Sequence, residues 1–273
     1  MTASPQFPEP SRRQGGTLST GTKLLLFVGL PLLALALLIG GLSVLVPAFR
    51  ATPVALTGSA EAGSSVLVEV PSAALDFRPG TGSEVRAEAV GRYTGPAPTL
   101  TVSTEGDETV IRGGCAERWL TLCRVRITVT LPASADLRVV SQNGKVTAEG
   151  LTGDVAVTTS NGGLELADLS GRLDLSTTNG AIEVEDSSST EVTARTTNGG
   201  VEVELRDAPR SVDVSTTNGG ITVQVPADED YYVDARTTNG NVRTEGVPID
   251  RRADREIVAR TVNGGITVEP SDD

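Results

Sequence analysis

The dipeptide Asn-Gly occurs at positions 143, 161, 179, 198, 218, 239 and 263, with spacings of 18, 18, 19, 20, 21 and 24 residues. Recurrence at that period implies one small unit used over and over, and it constrains the fold more than any other feature. Six, four and two residues before each Asn stand two aliphatics and then a hydroxyl: Leu137, Val139 and Ser141 first, Leu173, Leu175 and Thr177 in the third repeat, Ile257, Ala259 and Thr261 in the last. That alternation is period two, the mark of a strand with one buried face. Beyond the Asn the apolar positions fall three and five residues on, as in Val146 and Ala148, Ile182 and Val184, or Ile266 and Val268. The switch from even to odd offsets means that the corner absorbs a residue, which predicts two strands around a bend with Gly at positive φ.

Asn-Gly between alternating strands is also a hairpin signal, which would give an antiparallel meander. A meander, however, needs a second tight turn and unlike partners on its two edges, whereas here each column of residue types returns unchanged. Stacked parallel coils place Val over Val, Thr over Thr and Asn over Asn, so the pattern predicts an all-β fold, a parallel β-solenoid of about seven coils. The usual crossover rule makes it right-handed. Inward Asn143, Asn161, Asn179, Asn198, Asn218, Asn239 and Asn263 are then expected to form a corner ladder, joined by the Thr column. The composition agrees, because a thin coil has room only for small aliphatics, and the chain holds 4 Phe, 3 Tyr and 1 Trp among 273 residues but 30 Gly.

Ahead of the repeats, Leu24 to Val46 is a run of 23 residues without a charge, long enough to cross a bilayer as a helix. Arg12, Arg13 and Lys23 precede it against Glu9 alone, so the positive-inside rule keeps residues 1–23 as a cytoplasmic tail and exports the rest. The competing reading is a cleavable signal peptide ending near Val46-Pro47-Ala48, whose apolar core usually spans only about 7–15 residues. Residues 47–64, rich in Ala, Gly, Ser and Thr, read as a linker. Residues 65–135 are β-rich but off-register and read as a capping region held by Trp119 and the Cys pair; 136–269 form the repeat array and 270–273 a tail. Cys115 and Cys123, the only two cysteines, read as a disulfide in an exported domain.

The run Val129-Thr130-Leu131-Pro132, then Leu137-Arg138-Val139-Val140-Ser141-Gln142-Asn143-Gly144-Lys145-Val146, followed by Gly153-Asp154-Val155 and further Asn-Gly coils, resembles the bacterial putative-adhesin family of β-strand-repeat domains of unknown function. The resemblance spans about residues 65–269. It implies a β-solenoid presented at the cell envelope and carries no catalytic residues with it.

Charge and side-chain chemistry narrow the function further. The chain has no His, so no histidine relay, metal cage or pH switch is open to it. Its net charge is −12, and since residues 1–46 carry three basic side chains and one acidic, the remainder stands at −14, which disfavours nucleic acid as a partner. Glu165, Glu183 and Glu202 lie four residues after their Asn, and Glu149, Glu185, Glu204, Glu245 and Glu269 six after, an outward acidic stripe. Such a stripe either binds a divalent cation or simply solvates the face, and no chelating loop accompanies it. The lengthened connections of the last coils bring in Tyr231, Tyr232, Arg251, Arg252 and Arg255, which are candidates for binding a cell-wall glycan. A polysaccharide-cleaving solenoid needs carboxylates converging in a cleft, and these acids alternate along flat faces instead. The expectation is therefore a non-enzymatic, single-pass membrane protein, anchored by residues 24–46, that displays an adhesion, binding or scaffold module outside the cell. No cofactor or metal is expected; an envelope protein is the alternative partner, as for an envelope-stress accessory.

Overall fold

A computed structural model describes residue 32 and residues 51–115 and 122–271. Apart from residue 32, the expected membrane helix at 24–46 lies outside the described residues, as do the tail at 1–23 and Trp119. Among the described residues no helix is long and apolar enough to cross a membrane. Residues 51–273 form one compact unit.

The N-terminal half of that unit contains β1 (Thr52–Glu61), β2 (Ser65–Ser72), β3 (Ala74–Gly80), β4 (Glu84–Tyr93), β5 (Thr99–Glu105), β6 (Glu108–Gly114) and β7 (Cys123–Pro132). The repeats supply β8 (Asp136–Asn143), β9 (Val146–Glu149), β10 (Val155–Thr158), β11 (Leu164–Ala167), β12 (Leu173–Ser176), β13 (Ile182–Ser187), β14 (Glu191–Arg195), β15 (Val201–Leu205), β16 (Ser211–Asn218) and β17 (Ile221–Val225). They end with β18 (Tyr232–Asn239), β19 (Val242–Thr244), β20 (Glu256–Asn263) and β21 (Ile266–Pro270). Each repeat gives one strand to each of two sheets. One sheet runs β1-β4-β7-β3-β9-β11-β13-β15-β17-β21-β19, and the other runs β18-β20-β16-β14-β12-β10-β8-β2-β6-β5.

The repeat strands pair in parallel and in the register that the columns require, Val155 with Leu173, Leu173 with Val192, Val192 with Val212. The solenoid, not the meander, is what forms. Val157, Leu175, Ala194, Val214 and their counterparts across the coil, Leu164, Val184, Val203 and Val223, are all buried. Because successive side chains on a strand point to opposite faces, one column of aliphatics per strand fills a thin core and the alternate column faces water.

At the corner each Asn side chain from Asn161 onward donates its Nδ2 to the Oδ1 of the Asn one coil away. The bonds run from Asn161 to Asn143 (3.0 Å), Asn179 to Asn161 (2.9 Å), Asn198 to Asn179 (2.8 Å), Asn218 to Asn198 (2.8 Å), Asn263 to Asn218 (2.8 Å) and Asn239 to Asn263 (2.8 Å). The ladder is on the exposed outside of the corner, not inside it as expected, so each bond competes with water and contributes about 0.5–1 kcal/mol. The inward Thr column does not bond to itself either. Thr177, Thr196, Thr216 and Thr261 donate to the carbonyls of Gly162, Gly180, Gly199 and Gly219 at 2.9–3.0 Å, tying each coil to the corner of the one beneath. Those glycines are needed for closeness more than for φ. Only Gly144 and Gly264 of the corner column have positive φ, whereas a Cβ on Gly180 would overlap the Gly162 carbonyl oxygen and one on Gly199 that of Gly180.

Both ends depart from sequence order. At the C-terminal end β20 lies between β16 and β18, and β21 between β17 and β19, so residues 256–270 are interposed and residues 232–244 end the stack. The long connections at 226–231 and 245–255 allow this by carrying the chain past one coil position and back. The terminal place falls to the coil with the weakest apolar column: Val242 is 43% exposed and Thr244 stands where other coils have an aliphatic, while Ile257 and Ile266 of the interposed coil are 0% and 1% exposed. Pro270, expected in a tail, is the last residue of β21 and pairs with Val225.

The capping region at 65–135 is only partly off-register. β2 pairs in parallel with β8, Val66 with Leu137, Val68 with Val139 and Ser72 with Asn143, and β3 pairs with β9, Leu75 with Val146 and Phe77 with Ala148. Residues 65–80 are thus a coil with Ser in the Asn position. β6 and β7 stack in parallel on its other side. The amide of Cys115 donates to the Ser72 carbonyl (3.1 Å), the bond that the Gly after the Asn makes in other coils, as Gly144 does to Asn161, so Cys115 stands at the corner in the place of that Gly, and its disulfide to Cys123 closes the corner covalently across 6.0 Å between Cα atoms. β1 and β4 then add antiparallel strands beyond β7, and β5 does so beyond β6. Residues 52–61, read as linker from their small polar composition, are therefore a paired strand.

Candidate functional site

The first column of the acidic stripe falls where spacing places it, on the outer face of the sheet that starts at β1, whereas in the second a bulge between Val184 and Ser187 takes Glu185 out of register with Glu204, and Glu245 lies just past β19. Glu165 pairs with Glu183 and Glu183 with Glu202 in adjacent parallel strands, which sets their carboxylates about 5 Å apart. Ala167 sits between Glu149 and Glu185 in the next column, and the missing side chain leaves a shallow hollow of about 430 Å³ bordered by Asp76, Arg78, Glu149, Glu165 and Glu185. Lys145 pairs with Glu165, and Arg78 with Asp76 at 2.9 Å. Glu183 lies in the crowded middle. Loss of hydration lifts its carboxyl above the ordinary carboxylate range, and Glu185, Glu165 and Glu202 add to the lift by hydrogen bonding and by like charge. Among the described residues no group of three or more His, Cys, Asp or Glu is arranged to hold a metal ion.

The aromatic and basic loop residues do not converge. Tyr231 and Tyr232 are neighbours at the start of a strand, so they point to opposite faces. Tyr231 is turned inward and fully buried, its hydroxyl donating to the Pro226 carbonyl (3.0 Å), and burial pushes that phenol up to about 12. Tyr232 remains exposed at 36%. Arg255 is a brace, reaching Glu229 at 3.3 Å and the carbonyls of Ala208 and Pro209 at 3.3 and 3.5 Å, and so pins the 226–231 connection to the preceding one. Arg251 and Arg252 are exposed in a turn, where the Arg252 amide is capped by Asp250 (2.9 Å). As a glycan platform the group is reduced to Tyr232, Arg251 and Arg252; Tyr231 is a core residue of the connection.

The column before Asn239 marks the strand at the end of the stack but not its terminal place. β18 carries Asp234 and Arg236 on its solvent face, with Asp234 held by Arg236 (2.7 Å) and Arg260 (3.2 Å). The one available signal was polar Thr244 in an aliphatic column.

The sequence matches the profile of a family described as Toastrack DUF4097 twice, over residues 68–204 and again over 127–269. The two placements overlap and differ by about three repeats, as expected when every coil presents the same columns. Solved structures similar to this chain include a putative adhesin of Bacteroides fragilis at 12% identity and TM-score 0.47, covering 80% of this chain and 97% of that one. A putative cell adhesion protein of Clostridium sporogenes has 10% identity and TM-score 0.36 with 80% and 100% coverage, and a putative lipid binding protein of Parabacteroides distasonis has 10% and 0.27 with 79% and 96%. No curated protein matches.

Proposed function

Since this chain belongs to the Toastrack DUF4097 family, we propose that it is a non-catalytic binding module: a right-handed solenoid of seven Asn-Gly coils and the Ser-cornered coil at 65–80, held at the cell membrane by a helix at 24–46, with residues 1–23 in the cytoplasm. The observation that carries this reading is the absence of convergence among the described residues. Carboxylates stand in parallel rows on a flat, open face, and the one buried phenol is satisfied by a backbone carbonyl. Acid–base chemistry needs groups aimed at one reacting atom, whereas rows in register suit a surface that binds an extended or repetitive partner. A cell-wall glycan or an envelope protein is the partner class. The stack also orders the unit along its length, because residue 51 leads into β1 at one end and β18 and β19 form the other.

The test is topological and biochemical. Protease added to intact cells should remove residues 51–273 while an N-terminal tag survives, and the detergent-solubilised full chain should retain either cell-wall polysaccharide or specific membrane proteins. A protected C-terminal unit defeats the anchored reading; hydrolysis of any envelope polysaccharide defeats the non-catalytic one. Co-purification with neighbouring membrane proteins, without glycan retention, would identify an accessory role.

A further inference from the structure

The C-terminal end of the stack is open. β18 and β19 are the last strands of their sheets, and residues of the core columns are left half-covered there: Val233 and Ala235 are only partly buried and Val242 is 43% exposed, against 0% for Ile257 and 1% for Ile266 one coil inward. The backbone on that edge has a definite parity. The amide of Tyr232 donates to the Arg255 carbonyl (2.8 Å), toward β20, whereas the Tyr231 amide donates to Pro248 (3.1 Å) and the Tyr231 carbonyl accepts from Asp250 (3.0 Å) on the outer side. Alternation along the strand then turns the N–H and C=O groups of Val233, Ala235 and Thr237 outward, with no strand among the described residues to receive them. Segment 248–250 covers the edge only as far as Tyr231.

We propose that this end is a self-association surface, on which a second copy of the chain pairs its β18 antiparallel to β18 about a two-fold axis. Parity and charge select one arrangement. Only odd residues can exchange backbone bonds, so the central pair is Ala235 with Ala235 of the second copy, flanked by Val233 with Thr237 and Thr237 with Val233, for about six hydrogen bonds. In that register Asp234 faces Arg236 of the second copy, and the reverse, on the solvent face. Sliding by two residues one way sets Asp234 against Asp234; the other way sets Arg236 against Arg236. Like charges directly opposite are unfavourable and opposite ones favourable, so the strand is complementary to itself in the central register and repulsive in both neighbours. The seam also continues the core columns across the axis and covers Val242. Because the contact is isologous, it closes at two chains. It uses the end of the stack away from β1 and is independent of the anchored reading.

The experiment uses the full chain in mild detergent, with sedimentation velocity as the readout, and two single-sign variants. Asp234→Arg carries Arg at both 234 and 236, and Arg236→Asp carries Asp at both. The wild type is expected to dimerise reversibly. Each variant alone should lose self-association by about tenfold or more in apparent Kd, and an equimolar mixture of the two should recover it, which also shows that both are folded. A third chain, Ala235→Cys, should yield a covalent dimer with a short thiol-reactive cross-linker, since the native cysteines are already paired. A wild type that stays monomeric, single-sign chains that still self-associate, or an Ala235→Cys chain that gives no linked dimer each overturns the proposal.

Discussion

At the N-terminal end of the stack the two sheets close on each other: β1 and β5, their outermost strands, are in contact, with Gly58 packed against Val102 and the hydroxyls of Thr104 and Thr109 both donating to the Glu61 carbonyl at 3.1 Å. At the C-terminal end β18 and β19 are edge strands over a half-covered core, met among the described residues only by segment 248–250 at Tyr231. Both ends interpose a coil out of sequence order, residues 65–80 at one and 256–270 at the other, so the difference does not lie in that device. It lies in what the remaining chain adds. Three antiparallel strands and a disulfide shield the first end, whereas the second is left with its least apolar coil outermost. A solenoid must protect its ends or use them, and this chain does one at each.

The largest contrast should come from paired truncations in one column of the open end. Val242 pairs with Ile266, yet in urea unfolding at protein concentrations low enough to keep the chain monomeric, Ile266→Ala should cost about 3–4 kcal/mol and Val242→Ala under about 1 kcal/mol, because only the first opens a cavity in a coil covered within the single chain. Equal costs under those conditions would mean that the end is already covered within the single chain, which would also remove the surface on which a second copy is to pair. Next, replacing Cys115 and Cys123 together by Ser should cost about 2–3 kcal/mol by freeing the closed loop in the unfolded chain. Amide exchange should then rise in β6 and β7 well before it rises in β10 to β17. Exchange that rises uniformly would show that the shielded end has no separate stability.

A subtler difference lies along the Thr column. The hydroxyls of Ser141 and Thr159, nearest the shielded end, are buried without a partner, while Thr196 bonds Gly180. Thr196→Val should therefore lower stability by about 1 kcal/mol, and Thr159→Val should be neutral or raise it by a similar amount, since it removes an unmet hydroxyl. Thermal melts of both variants distinguish the two. The smallest effect belongs to Glu183, whose carboxyl is raised in the folded state. The stability it contributes is present below the ordinary carboxylate value and is lost as pH rises through the raised folded value. Glu183→Gln should thus melt slightly higher than wild type at neutral pH and equally at acidic pH; an equal melt at both would remove Glu183 from the account of the acidic face.

The repeat columns made the middle of the molecule readable residue by residue. Val155 over Leu173 and Asn161 over Asn143 follow from spacing alone, because parallel stacking in register is the arrangement that buries every aliphatic column at once. The candidate loop was less readable. Tyr231 and Tyr232 look alike as a dipeptide, and only the phase of β18 buries one and exposes the other. Residues 52–61 misled for a different reason: a small, polar, edge-strand composition is also a linker composition, and pairing with β4 is a long-range event without a local signature.

The sequence by itself determined that this chain stacks in parallel coils with an aliphatic core, an Asn corner and acidic rows, since each of those is a property of a column. What it could not determine was the order of the coils at either end. Identical columns make any coil an acceptable neighbour for any other, so no local pattern tells residues 256–270 to slip beneath residues 232–244, or Cys115 to take the corner place of a Gly. Tertiary structure settled both by the net burial available: the coils with full aliphatic columns go where two neighbours cover them, and the coil with Val242 and Thr244 goes where only one does.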